Sequence, residues 1–144
     1  MIVYVDASAL FKLYVDESDS ATARAQLAAP VQKATALIAY AELRAAFASA
    51  RRLGRISPAE LAQAKTRWLS DWLALSKLPL DEDRCHEAGD LAEAYGLRSF
   101  DSIHLACYAH LVRIAAPTEV TFCGFDKALL AAAARWRSHW SAQP

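Results

Sequence analysis

The stretch Met1–Leu10, MIVYVDASAL, decides the fold of this chain. Four apolar residues, Ile2 to Val5, run directly into Asp6, and Ser8 follows two positions later. Ile, Val and Tyr favour pleated backbone, and a short unbroken apolar run marks a strand buried on both faces. The helix-prone residues that follow turn the chain from strand straight into helix. Asp6 then stands at the carboxyl end of a central parallel strand, where open α/β sheets place their ligand crevice. A carboxylate costs free energy there unless something positive meets it. Asp6 is therefore the seed of a candidate site.

The rest of the chain alternates helix and strand signals. Ala7 to Val15 reads as a short helix, and Asp16-Glu17-Ser18-Asp19-Ser20 offers caps for a second one reaching Ala29, stopped by Pro30. Lys33 to Ile38 is a strand, and AYAELRAAFASARRLGR is a helix from Ala39, closed at Gly54. Leu43, Ala46, Phe47, Ala50 and Leu53 recur on one face of it. Ser57-Pro58-Ala59-Glu60 combines a capping box with Pro at the first helical position, the clearest helix start in the sequence. That helix runs to Ser76 and carries Leu61, Trp68, Leu69, Trp72, Leu73 and Leu75, more apolar surface than one stripe needs.

Lys77 to Leu80 is a minimal strand, and Asp81-Glu82-Asp83 opens a helix that ends at Tyr95 with Gly96 as its cap. Ser99 caps the helix SFDSIHLACYAHLV, Glu119 to Cys123 is a strand, and Lys127 to Trp136 is a final Ala-rich helix. Trp140 receives no assignment. This alternation predicts one α/β domain over residues 1–144: three α/β/α layers around a mostly parallel sheet.

Composition narrows the class. Hydrophobic residues make up 55% and charged residues 22%, which excludes a disordered chain. Lys plus Arg and Asp plus Glu balance at 16 each, so net charge gives no polyanionic partner, though local patches still steer binding. Cys85, Cys107 and Cys123 form no CxxC pair and read as reduced, buried small hydrophobes. No apolar run approaches the roughly 18 residues of a membrane span, and the first residues are a strand rather than a basic leader. The expected location is the cytoplasm, with no membrane partner.

Four acids share an unusual placement. Asp6 and Asp126 each directly follow an apolar strand, and Glu42 and Asp101 each lie in the first turn of a helix. In a parallel α/β fold, strand carboxyl ends and helix amino ends meet at one edge of the sheet, so all four can face one crevice. Gathered carboxylates repel unless protonated or bound to a cation. Oxygen ligands without a Cys or His cluster select Mg²⁺ or Mn²⁺ over zinc. Such an ion activates water and offsets charge at a phosphoryl group, which points to phosphodiester hydrolysis. Each acid taken alone also suits an ordinary helix start, where it complements the helix dipole.

Four motifs, VDASAL, AELRAAF, FDSIHLA and FCGFDKALLAAA, occur in the order and spacing of a known family. The chain resembles the PIN-domain nucleases, and more narrowly the VapC-type toxins of type II toxin–antitoxin pairs. The resemblance implies a Mg²⁺-dependent ribonuclease with Asp6 and Asp101 as metal ligands, Glu42 completing the cluster and Asp126 as the fourth acid. It further implies an RNA substrate, a cognate antitoxin and a homodimer. One departure is Gly124, where the family often has Thr or Ser two residues before its last acid. Ser8 keeps the hydroxyl that commonly follows the first Asp.

Other residues have two readings. His104, three residues after Asp101, lies on the same helical face and is either a metal ligand or a hydrogen-bonded structural histidine; the resemblance favours the second. His86, His110 and His139 show no partner pattern. Residues 42–67 carry Arg44, Arg51, Arg52, Arg55, Lys65 and Arg67 against Glu42 and Glu60, a net +4 suited to RNA phosphates or to an ordinary solvated face. Residues 81–101 hold seven acids against Arg84 and Arg98, net −5, and are no RNA platform. Trp68 and Trp72 read as core or as part of an interface.

Two competing functions are a catalytically weak PIN-fold binding module and a receiver-like Mg²⁺-binding signalling domain. Receivers usually place an acidic pair after the first strand, where this chain has Asp6 alone, and Leu78-Pro79-Leu80-Asp81 is a poor phospho-acceptor strand end.

Overall fold

The computed structural model describes residues 1–29 and 31–142. Pro30, expected to stop the second helix, lies outside the described residues. The elements run β1 (Ile2–Val5), α1 (Ala7–Phe11), α2 (Ser20–Leu27), β2 (Gln32–Ala36), α3 (Ala39–Arg52), α4 (Pro58–Ala74), β3 (Ser76–Leu78), α5 (Glu82–Tyr95), α6 (Ser99–Ala115), β4 (Val120–Cys123) and α7 (Lys127–Ser141).

The four strands form one sheet in the order β3-β2-β1-β4, and every pairing is parallel. β1 is thus a central strand. Val5 pairs with Cys123, so β1 and β4 end level, and the Asp6 amide donates to the Cys123 carbonyl at 3.0 Å. The Thr35 hydroxyl ties β2 to the same end of β1, donating to the Val5 carbonyl at 2.7 Å.

Side-chain alternation along β1 splits the interior in two. Tyr4 points into a core built with Leu105, Leu129 and Trp136, under α5, α6 and α7. Val3 and Val5 point the other way, into a core with Leu10, Leu43, Phe47 and Trp68, under α1, α3 and α4. The result is the expected α/β/α arrangement, with helices covering both faces of a parallel sheet. None of the described helices is long and apolar enough to cross a membrane.

Local chemistry explains the boundaries. Asp6 caps α1 by accepting from the Ala9 amide, and Ser57 and Glu60 form the reciprocal capping box of α4. Gly54 and Gly96, both at positive φ, follow α3 and α5.

Several expectations need correction. Helix α1 stops at Phe11 rather than Val15: the backbone tightens into i→i−3 bonds, Leu13 to Leu10 and Tyr14 to Phe11, each 3.1 Å, and the Lys12 ammonium reaches on to Glu17 and the Ser18 carbonyl. Asp19 precedes α2 in a left-handed conformation (φ 67°) without a capping bond; the Ser20 hydroxyl orders that turn instead. Arg98, not Ser99, is the N-cap residue of α6, and it makes no side-chain capping bond. Leu53 is exposed, so the apolar face of α3 ends at Ala50. Cys107 and Cys123 are buried, with burial pushing their thiols up to about 12 and about 11, but Cys85 is exposed on α5. Trp140 belongs to α7 and stacks on Trp136 with ring centroids 5.9 Å apart.

Candidate active site

The carboxyl ends of β1 and β4 bring Asp6 beside Gly124. Asp6 is 2% exposed. One of its oxygens accepts from the Ala9 amide at 2.8 Å, and the Ser8 hydroxyl lies 2.8 and 2.9 Å from the two oxygens. The same Ser8 oxygen accepts from the Phe125 amide at 2.8 Å. Ser8 therefore pins the loop after β4 to the acid after β1. Burial pushes the Asp6 carboxyl above its ordinary value; the Ala9 amide, His104 and Ser8 partly oppose this, and the charge of Glu42 adds to it.

Gly124 is a matter of room. A Cβ at this position would lie 2.6 Å from an Asp6 carboxylate oxygen and 2.8 Å from the Phe122 ring. Neither neighbour is free to yield: the Asp6 carboxylate is held by Ser8 and Ala9, and the Phe122 ring is stacked on Tyr4. The carboxylate of Asp6 takes the space that a Thr or Ser side chain would need.

Glu42 stands in the first turn of α3 and meets His104 Nε2 at 2.8 Å. His104 is 2% exposed, and its Nδ1 lies 2.8 Å from the Tyr4 hydroxyl. Burial drives the Tyr4 phenol well above its ordinary range, so the hydroxyl keeps its proton and donates it to Nδ1. Nε2–H then faces the Glu42 carboxylate. Both ring nitrogens are committed, which makes His104 the hydrogen-bonded structural histidine of the two readings.

Asp101 and Asp126 form the outer part of the constellation. Asp126 caps α7 through the Leu129 amide at 2.9 Å. The Arg98 guanidinium spans the two acids, 2.9 Å from Asp101 and 3.4 Å from Asp126. A cleft of about 430 Å³ is lined by Ser8, Lys12, Glu17, Glu42, Phe125 and Asp126, but not by Asp6 or Asp101. The predicted acids fall into separate hydrogen-bonded groups: Asp6 joins Ser8 and, through it, the Phe125 amide next to Asp126, Arg98 joins Asp126 to Asp101, and Glu42 joins His104 and Tyr4 with no hydrogen bond to the other acids among the described residues. They are not drawn into a finished cage: among the described residues no three acids, histidines or cysteines lie close enough to hold an ion together.

The donor set nevertheless suits a hard divalent cation. Its side-chain donors are carboxylate oxygens, and His104 has no free ring nitrogen to offer. Asp6 is buried, yet among the described residues no Lys or Arg forms an ion pair with it. A buried carboxylate lacking a countercharge is the condition that a bound cation relieves.

Lys12, Glu17 and Arg98 were not singled out as site residues by the sequence. Lys12 is buried, reaches Glu17 at 2.7 Å and lies over the Phe125 ring. Arg55 meets Glu17 from the other side at 2.7 Å, which brings one residue of the basic stretch to the cleft. Arg44 is stacked on Tyr40, and Arg67 lies over Tyr14. A helical reading of Ser99–Val112 with its preceding residue would have put Arg98 three positions from Asp101; the Lys12–Glu17 pair depends on a turn that no local signal marks.

The family description "PIN domain" matches residues 3–118. The chain belongs to the PIN-domain family. It is 38% identical over 105 residues to Ribonuclease VapC45 of Mycobacterium tuberculosis (strain CDC 1551 / Oshkosh), covering 73% of each chain. The same figures hold for Ribonuclease VapC49 of M. tuberculosis (strain ATCC 25618 / H37Rv), so this PIN domain is of the VapC type. Its fold is similar to that in the crystal structure of VapBC2 from Rickettsia felis bound to a DNA fragment from their promoter. That match has a TM-score of 0.54 and 13% identity, covering 88% of this chain and 100% of that one. A receiver-like assignment is set aside by this membership; Asp81, the acid after β3, caps α5 through the Arg84 amide.

Proposed function

We propose that this PIN domain is a Mg²⁺-dependent ribonuclease and the toxin of a toxin–antitoxin pair, with Mn²⁺ able to substitute. The observation that carries the reading is the buried, unpaired Asp6 at the end of β1, linked through Ser8 and Phe125 to the segment bearing Asp126. The VapC ribonuclease relatives support RNA as the substrate.

Asp6 and Asp101 would ligate the ion, with Glu42 and Asp126 completing its shell directly or through water. The ion supplies an activated water and stabilises charge developing on the scissile phosphate. The protein's own contribution is positional. Ser8 and the Ala9 amide fix the Asp6 carboxylate, and the Tyr4–His104 pair fixes Glu42. Arg44, on α3, and Arg55, which meets Glu17 at the cleft, would bind flanking RNA phosphates.

A second copy and an antitoxin are the proposed partners, and the cytoplasm the proposed location. Leu69 and Leu73 on α4 support the protein partners: they are 44% and 81% exposed, whereas Trp68 on the same helix is wholly buried. One observation favours a weaker alternative, a PIN-fold binding module: the acids are not already gathered around one point.

An RNA-cleavage assay with antitoxin-free protein decides between them. The wild type should cleave in Mg²⁺ and stop in EDTA, and Asp6→Asn or Asp101→Asn should lower the rate by at least about 100-fold. Cleavage that survives EDTA, or full activity in both variants, would sink the mechanism. No cleavage by the wild type would favour the binding module.

A further inference from the structure

Arg98 is a charged side chain with an unusual set of neighbours. It stands at the N-cap position of α6, where a side chain normally bonds a free helix amide, yet it makes no such bond. Its guanidinium instead reaches across to two carboxylates from different elements, Asp101 on α6 and Asp126 at the start of α7. The Arg98 side chain is 80% exposed, whereas the Asp101 and Asp126 side chains are 18% and 32% exposed. Nothing buried therefore holds the arginine in place, and Asp126 keeps its bond from the Leu129 amide without it.

We propose that Arg98 is a resident cation of this site that trades places with the divalent ion and then binds the RNA backbone. This rests on the reading of Asp101 and Asp126 as metal-binding acids. With no ion bound, the guanidinium bridges the two carboxylates and screens their repulsion. A divalent ion takes the same oxygens and displaces it. The freed guanidinium remains tethered at the rim, beside the segment that carries Asp126 into the cleft. A planar fork of donors there matches the geometry of a phosphate group. The same residue thus opposes metal uptake before substrate arrives and contacts substrate afterwards.

Two binding measurements on the full chain test this. Mn²⁺ affinity is read without RNA by paramagnetic resonance of the free ion. Affinity for a labelled single-stranded RNA is read by anisotropy in Ca²⁺. Arg98→Ala removes no capping bond, so its fold should be retained, as circular dichroism would check. It should bind Mn²⁺ about two- to fivefold more tightly than the wild type, the range an exposed ion pair can contribute. It should bind RNA several-fold more weakly. Arg98→Lys, which keeps the charge but loses the fork, should fall between the two in both measurements. Unchanged or weaker Mn²⁺ binding by Arg98→Ala, or unchanged RNA affinity, overturns the proposal. A wild type that takes up Mn²⁺ while Arg98→Ala matches it defeats the exchange alone. A wild type that takes up no Mn²⁺ defeats the metal-site reading, and the exchange with it.

Discussion

The two halves of the acidic constellation are built differently. Asp6 and Glu42 are held by partners inside the protein: Ser8 and an amide for one, His104 and behind it Tyr4 for the other. Asp101 and Asp126 are bridged by one exposed arginine. The inner pair is fixed before any ligand arrives, because buried hydrogen bonds are costly to leave unmade. Of the outer pair, Asp126 is also held by the Leu129 amide, whereas the Asp101 carboxylate is bonded to the arginine alone among the described residues and can adjust. Under the proposed function, a site that takes up an ion and then a long substrate would gain from both properties: fixed ligands would define where the ion sits, and an adjustable one would close around it.

The inner half should break first. His104→Ala removes the support of Glu42 and leaves the Tyr4 hydroxyl without its acceptor in a buried place. Groups that orient a metal ligand typically account for 10- to 100-fold in affinity or activity. We expect a loss of about that size in Mn²⁺ affinity, measured by titration. Tyr4→Phe should lose less, since the histidine then lacks only one of its two partners. Equal Mn²⁺ affinity in wild type and His104→Ala would mean that Glu42 does not act through this network.

Gly124→Ala tests the same half by crowding. The added methyl must displace Asp6 or Phe122, and overpacking of this kind costs about 1–3 kcal/mol. A lowered Tm together with weaker Mn²⁺ binding is the expected outcome. A variant as stable as the wild type would show that Asp6 moves aside at little cost.

The smallest effect concerns charge. Asp6 has a raised pKa in the folded chain, so between its unfolded and folded values the folded state holds a proton that the unfolded state has lost. Stability therefore falls as pH rises through that window, which opens near 3.8, and the penalty is complete above it. In EDTA at neutral pH, Asp6→Asn should melt above the wild type. The gap should vanish in acid below 3.8, where wild-type Asp6 is protonated in both states. A gap that persists in acid would assign the difference to packing rather than charge.

Much of this was legible in the sequence because it is local. An apolar run ending in Asp6, the same pattern ending in Asp126, and acids in the first turns of α3 and α6 are short-range signals. Strand direction alone brings them to one side. The core face of α3 followed from periodicity: Leu43, Phe47 and Ala50 are buried as their helical spacing requires. What escaped depends on contacts between distant parts of the chain. Beyond α1, a lysine bonds across a turn to Glu17 and Ser18, a contact that no short-range signal marks. The exposure of Cys85 and of Leu73 depends on which side of α5 and α4 faces the sheet, and neither helix has a narrow enough stripe to say. Gly124 could be noticed as a departure, but its reason is a carboxylate more than 100 residues earlier in the chain.

The central claim is that these acids, with Asp6 at their root, hold a divalent ion. Crystals soaked in Mn²⁺ and measured at a wavelength where manganese scatters anomalously test it most directly. The account predicts a peak at roughly 2.1 Å from oxygens of both Asp6 and Asp101, with the Arg98 guanidinium moved off Asp101. A map at saturating Mn²⁺ with no peak beside Asp6, or with the ion bound elsewhere, would contradict it.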